Sequence, residues 1–99
     1  MRIVAFRALR EFWETPGYGD SEQPLKSWYQ IARKADWNTP QHVKDQFANC
    51  SIVGDNRIVF NIAGNKYRLV VKFNYSYLMG YVRFIGTHAE YDQIDVESV

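Results

Sequence analysis

The sequence predicts an α+β domain, with N-terminal helices packed on one face of a small antiparallel β-sheet and a short C-terminal helix. Three observations predict it. Apolar residues in the first half recur at spacings of three and four, the period of an amphipathic helix. From Arg57 onward the chain changes to strand-length runs rich in Val, Ile, Phe and Tyr. The breaks between those runs are short and carry Gly, Asn and Asp, so neighbouring strands join as hairpins and the helices segregate from the sheet.

Arg2-Ile3-Val4 opens the chain as a short strand. Phe6, Leu9, Phe12 and Trp13 then form a helical stripe that stops at Thr15-Pro16-Gly17. Asp20 and Ser21 offer caps for a second helix, and Pro24 suits its first turn. Leu25, Trp28, Ala32 and Ala35 give it an apolar face that Tyr29 and Ile31 widen, and the short link predicts an antiparallel helical hairpin. Thr39 as N-cap and Pro40 at the first helical position start a short helix bearing Val43 and Phe47. Arg57 to Ile62, Lys66 to Phe73 and Tyr81 to Ile85 read as three strands, with Ala63-Gly64-Asn65 as a turn and Tyr75-Ser76-Tyr77 in or near the next one. Ser51-Ile52-Val53 pairs ahead of Arg57 across Gly54-Asp55-Asn56, and a short helix follows Thr87.

At 99 residues the chain makes one domain, 1–99, with no linker and no internal repeat. Cys50 is the one cysteine, which excludes an intrachain disulfide and a multi-cysteine zinc site. Two histidines exclude a multi-histidine metal site, and no cofactor motif is present. No apolar run reaches the roughly 20 residues of a membrane helix, and Arg2, Arg7 and Arg10 interrupt any signal-peptide core, so no membrane partner and a cytoplasmic location are expected. A formal charge of +1 does not by itself point to nucleic acid; the placement of the charges has to carry that argument.

Two constellations carry chemistry. Strand parity over Lys66 to Phe73 puts Tyr67, Leu69, Val71 and Phe73 on the core side, and Lys66, Arg68, Val70 and Lys72 on the other. On the last strand, parity sends Val82 and Phe84 one way and Tyr81, Arg83 and Ile85 the other, so Arg83 is expected to join Arg68 and Lys72. Such a cluster grips a phosphodiester through guanidinium forks, or it is the solvated polar face that antiparallel sheets often show. The second constellation is Gly86-Thr87-His88-Ala89-Glu90-Tyr91-Asp92. Thr87 and Glu90 have capping-box spacing, which puts His88 and Tyr91 on one face at a helix start. Imidazole and phenol together suit proton transfer; alternatively the pair merely closes and packs a helix end.

Read together, Gly64-Asn65-Lys66-Tyr67-Arg68-Leu69-Val70 and Gly86-Thr87-His88-Ala89-Glu90-Tyr91-Asp92, with Trp37-Asn38-Thr39-Pro40, resemble the HigB toxins of the RelE-like superfamily of type II toxin–antitoxin systems. The resemblance implies a RelE-like fold and a ribosome-dependent mRNA endonuclease. That enzyme cuts translated mRNA in the A site by attack of the ribose 2′-OH on the adjacent phosphate, without a metal or other cofactor. It implies catalytic roles for Arg68, His88, Tyr91 and Lys66, and phosphate contacts by Lys72 and Arg83. The partners it implies are the ribosome, mRNA and a cognate helix-turn-helix antitoxin of the HigA type, with operator DNA reached only through the antitoxin complex. The competing reading is a non-catalytic RNA- or protein-binding module on the same fold, a decayed toxin.

Overall fold

A computed structural model describes residues 1–99. The chain runs β1 (Arg2–Val4), α1 (Phe6–Glu14), a 3-10 turn (Gly19–Ser21), α2 (Glu22–Lys34), α3 (Pro40–Gln46), β2 (Ser51–Ile52), β3 (Arg57–Ile62), β4 (Tyr67–Asn74), β5 (Met79–Thr87) and α4 (His88–Tyr91). The five strands form one sheet in the order β1-β5-β4-β3-β2.

The predicted class holds, with one correction: the sheet is mixed. β2, β3, β4 and β5 are an antiparallel meander, but β1 lies parallel to β5, with Ile3 opposite Gly80. Hairpins announce themselves by local turn residues, whereas this edge pairs the two ends of the chain with no turn between them. Gly80 permits the join: a Cβ there would stand 2.9 Å from the Phe73 ring and 3.2 Å from Ile3.

The core lies between the helices and one face of the sheet. Leu25, Trp28 and Ala32 of α2 and Leu9 and Trp13 of α1 are buried against Tyr67, Leu69, Val71 and Phe73, the four β4 residues that parity assigned to this side. Phe60 of β3 joins the layers, its ring centroid 5.2 Å from those of Trp28 and Phe47 and 6.3 Å from that of Phe73. Thr39 caps α3 by accepting the His42 N–H, with Pro40 following it as expected.

β5 departs from simple alternation. Val70 pairs with Phe84 and Val71 with Val82, so Arg83 is an extra, bulged residue. The bulge inverts the alternation beyond it: Val82 and Ile85 pack on the core, while Phe84 and Gly86 share the opposite face with Arg68 and Val70. The expected pairing of Val82 with Phe84, and of Arg83 with Ile85, is therefore corrected.

Candidate functional site

The face turned away from α1 and α2 carries Arg57, Val59 and Asn61 on β3, opposite Lys72, Val70 and Arg68 on β4. Arg68 sits between Asn61 and Gly86. Its Nη1 donates to the backbone carbonyls of Asn65 (3.1 Å) and Tyr67 (3.2 Å), and no carboxylate pairs with it. Glycine at 86 leaves that neighbourhood open: a Cβ would lie 2.6 Å from the Phe84 ring and 2.9 Å from Glu90 Oε1.

Lys66 departs from its expected place. It precedes β4, and its ammonium reaches Asp20 in the 3-10 turn on the helical side. The cationic ridge beside Val70 is therefore Arg68 and Lys72. Asp20 also accepts from the Tyr67 hydroxyl, so one carboxylate ties the helical layer to the start of β4, two residues before Arg68. The Lys66 and Tyr67 hydrogen bonds hold the Asp20 carboxyl below its ordinary value. The bond to Asp20, and then burial, push the Tyr67 phenol up to about 12.

The signs set a pH window. A lowered carboxyl stabilises the fold above its unfolded pKa and loses that contribution in acid; a raised phenol stabilises it below its unfolded pKa and loses that contribution in alkali. The cluster therefore works fully between about pH 4 and pH 10. Absorbance titration of phenolate is expected to show two tyrosines ionising near pH 12, Tyr67 and the buried Tyr75, and Tyr67→Phe is expected to remove one of the two.

At the same end of the sheet, α4 starts as the capping-box spacing predicts. Thr87 Oγ1 accepts the Glu90 N–H (3.1 Å), and Glu90 Oε1 accepts the Thr87 N–H (2.8 Å). The His88 N–H donates to the Lys66 carbonyl (3.2 Å), which docks α4 beside the start of β4. His88 Nδ1 lies 3.0 Å from Asp92 Oδ2, and both side chains are about half exposed, at 52% and 54%. This contact orients the imidazole and leaves Nε2 as the free ring nitrogen. Tyr91 lies over Phe84, ring centroids 6.4 Å apart. Arg68, His88 and Tyr91 thus come to one end of the sheet.

Lys72 and Arg83 belong to the other end. Lys72 lies 3.5 Å from Asp55, which also takes Nη1 of Arg57 at 2.7 Å. The Arg57 bond and then the Lys72 charge hold the Asp55 carboxyl below its ordinary value. Arg83, on the bulge, donates through Nε to the Val99 carbonyl (3.2 Å) and lines a cleft of about 480 Å³ with Lys72, Tyr81, Asn56 and Asn74. Sequence reasoning missed Arg57 and the role of Asp92. The register signal for Arg57 is its place opposite Lys72; for Asp92 it is the i, i+4 spacing from His88. It also missed that Val59 and Val70 are buried on this face. The tail anchors around them through Tyr91 at Phe84, Glu97 at Gly54, and Val99 at Arg57 and Arg83.

Residues 21–94 match the sequence model of a family described as HigB toxin, the RelE-like toxic component of a toxin–antitoxin system. The mRNA interferase HigB of Escherichia coli O6:H1 (strain CFT073) is 27% identical over 79 residues, which is 78% of this chain and 77% of that protein.

Proposed function

Because the chain belongs to the HigB toxin family, the RelE-like toxic components of toxin–antitoxin systems, we propose that it is an mRNA endonuclease that cuts translated mRNA in the ribosomal A site by metal-independent attack of the 2′-OH. An antitoxin partner follows from the family; we propose that it is of the helix-turn-helix, HigA-like kind. The observation that carries the reading is Arg68: a guanidinium on the open face, free of any carboxylate, at the end of the sheet where His88 and Tyr91 also stand.

In this reaction the 2′ oxygen forms a bond to phosphorus as the bond to the 5′ oxygen breaks. Arg68 stabilises the charge that grows on the non-bridging oxygens. His88, oriented by Asp92, supplies the proton that the leaving 5′ oxygen takes. The 2′-OH proton is relayed through the Tyr91 hydroxyl, whose oxygen accepts it as the phenol gives its own proton to solvent water. The ion pair with Asp20 holds the Lys66 ammonium on the helical side, away from Arg68, so Lys66 is a positioning residue in this reading.

Mapping cuts in translated mRNA on purified ribosomes tests the proposal: cuts confined to the A site support it, and no cuts from folded protein overturn it in favour of the binding module. Asp92→Asn is expected to lower the cleavage rate about 10- to 100-fold with little change in ribosome affinity, measured as a loss in kcat rather than a rise in KM. A change in KM alone would remove Asp92 from the chemistry.

A further inference from the structure

Three successive carbonyls at the start of β4 hold both Arg68 and His88. Those of Asn65 and Tyr67 accept from Nη1 of Arg68, at 3.1 and 3.2 Å, and the one between them, of Lys66, accepts the His88 N–H at 3.2 Å. The position of Arg68 relative to His88 therefore depends on where residues 65–67 lie. Those residues leave a turn in which Ala63 and Gly64 have positive φ, at 54° and 68°, and strand pairing reaches only as far as Tyr67. Turns are the least restrained parts of a sheet.

Here a restraint comes from the helical layer, on the other side of the sheet. The Asp20 carboxylate accepts from the Lys66 ammonium through one oxygen and from the Tyr67 hydroxyl through the other. Asp20 is itself fixed. It stands in the 3-10 turn beside buried Ser21, whose hydroxyl donates to the Tyr18 carbonyl at 2.6 Å. The Tyr18 ring stacks on Phe12, centroids 4.6 Å apart, and both meet the Tyr67 ring at nearly a right angle.

We propose that Asp20 is a positioning residue for Arg68 and His88: its carboxylate clasps residues 66 and 67 from the helical layer and so fixes the two groups relative to each other on the open face. The inference rests on the RNA-cleaving reading and adds to it a residue that touches no substrate. The Asp20–Lys66 pair is exposed, at 43% and 61%, and exposed ion pairs add little stability. The effect falls on rate instead, because a phosphate that must meet a guanidinium and an imidazole together tolerates little misplacement.

The test is cleavage of translated mRNA on purified ribosomes by wild type, Asp20→Ala, Arg68→Ala and the double variant. Asp20→Ala is expected to lower kcat about 10- to 100-fold and to leave KM within about twofold. In the Arg68→Ala background the same change is expected to cost about twofold or less, because no guanidinium is left to position. Asp20→Asn keeps an oxygen for the Tyr67 hydroxyl and is expected to recover part of the rate. Magnetic resonance spectra of the free chain give the direct readout: the His88 N–H and Arg68 Nε–H signals are expected to move in Asp20→Ala, while those of α3 stay in place. A wild-type rate in Asp20→Ala, an equal cost in both backgrounds, or a rate loss that follows a loss in melting temperature overturns the role. Wild type that cuts, with His88 and Arg68 signals unmoved in Asp20→Ala, overturns the role alone. Wild type that makes no cuts overturns the RNA-cleaving reading and the role with it.

Discussion

Arg68→Ala is expected to slow ribosome-dependent mRNA cleavage by about 10²- to 10³-fold, the usual cost of removing one donor from a developing oxyanion. The fold should survive the change. Arg68 is partly exposed and its partners are two carbonyls of its own turn and strand, so the loss in stability is expected to be about 0.5 kcal/mol or less. Thermal unfolding and cleavage measured on the same preparation separate the two effects. Arg68→Lys sharpens the test, because it keeps the charge and loses the planar fork. Recovery of binding without recovery of rate assigns the guanidinium to the transition state. Full recovery of rate by lysine assigns Arg68 to simple charge attraction. A fall in melting temperature that tracks the fall in rate would falsify the electrostatic role.

The legible parts of the molecule were the local ones. Helix starts at Thr39-Pro40 and at Thr87 are written in residues three or four positions apart, and both caps are present. The core side of β4 follows from alternation alone. What a single pattern does not carry is anything that depends on a distant segment. The parallel edge formed by β1 joins residues near opposite ends of the chain. Lys66 leaves the cationic face because Asp20, in the helical layer, pulls it away. Phe84 joins the open face and Ile85 leaves it because the bulge at Arg83 shifts the side chains that follow it in β5, while Arg83 itself stands with Lys72 and Tyr81 at the end away from Arg68. Arg57 looked like the first residue of an ordinary strand; only the register with Lys72 and the return of the tail make it a buried cation.

That bulge also makes the last expected result a sharp one. Phe60→Ala is expected to cost about 3–5 kcal/mol, enough to lower the melting temperature of a domain this size by roughly 15–30 °C. Phe60 is 1% exposed, and its ring meets Trp28 from α2, Phe47 at the end of α3 and Phe73 of β4, so its loss leaves a cavity where the helices meet the sheet. Phe84→Ala is the comparison. Unbroken alternation on β5 would put Phe84 on one side with Val82, which packs on the core. The bulge puts it on the other face, half-buried over Gly86 and Tyr91, where truncation is expected to cost about 1 kcal/mol. Chemical denaturation of both variants measures the difference. A large gap places the main core on the side of the sheet that Phe60 faces, with the face bearing Phe84 covered only by the tail around Val59 and Val70. Equal losses would mean that Phe84 is a core residue and that the bulge does not turn it to the other face.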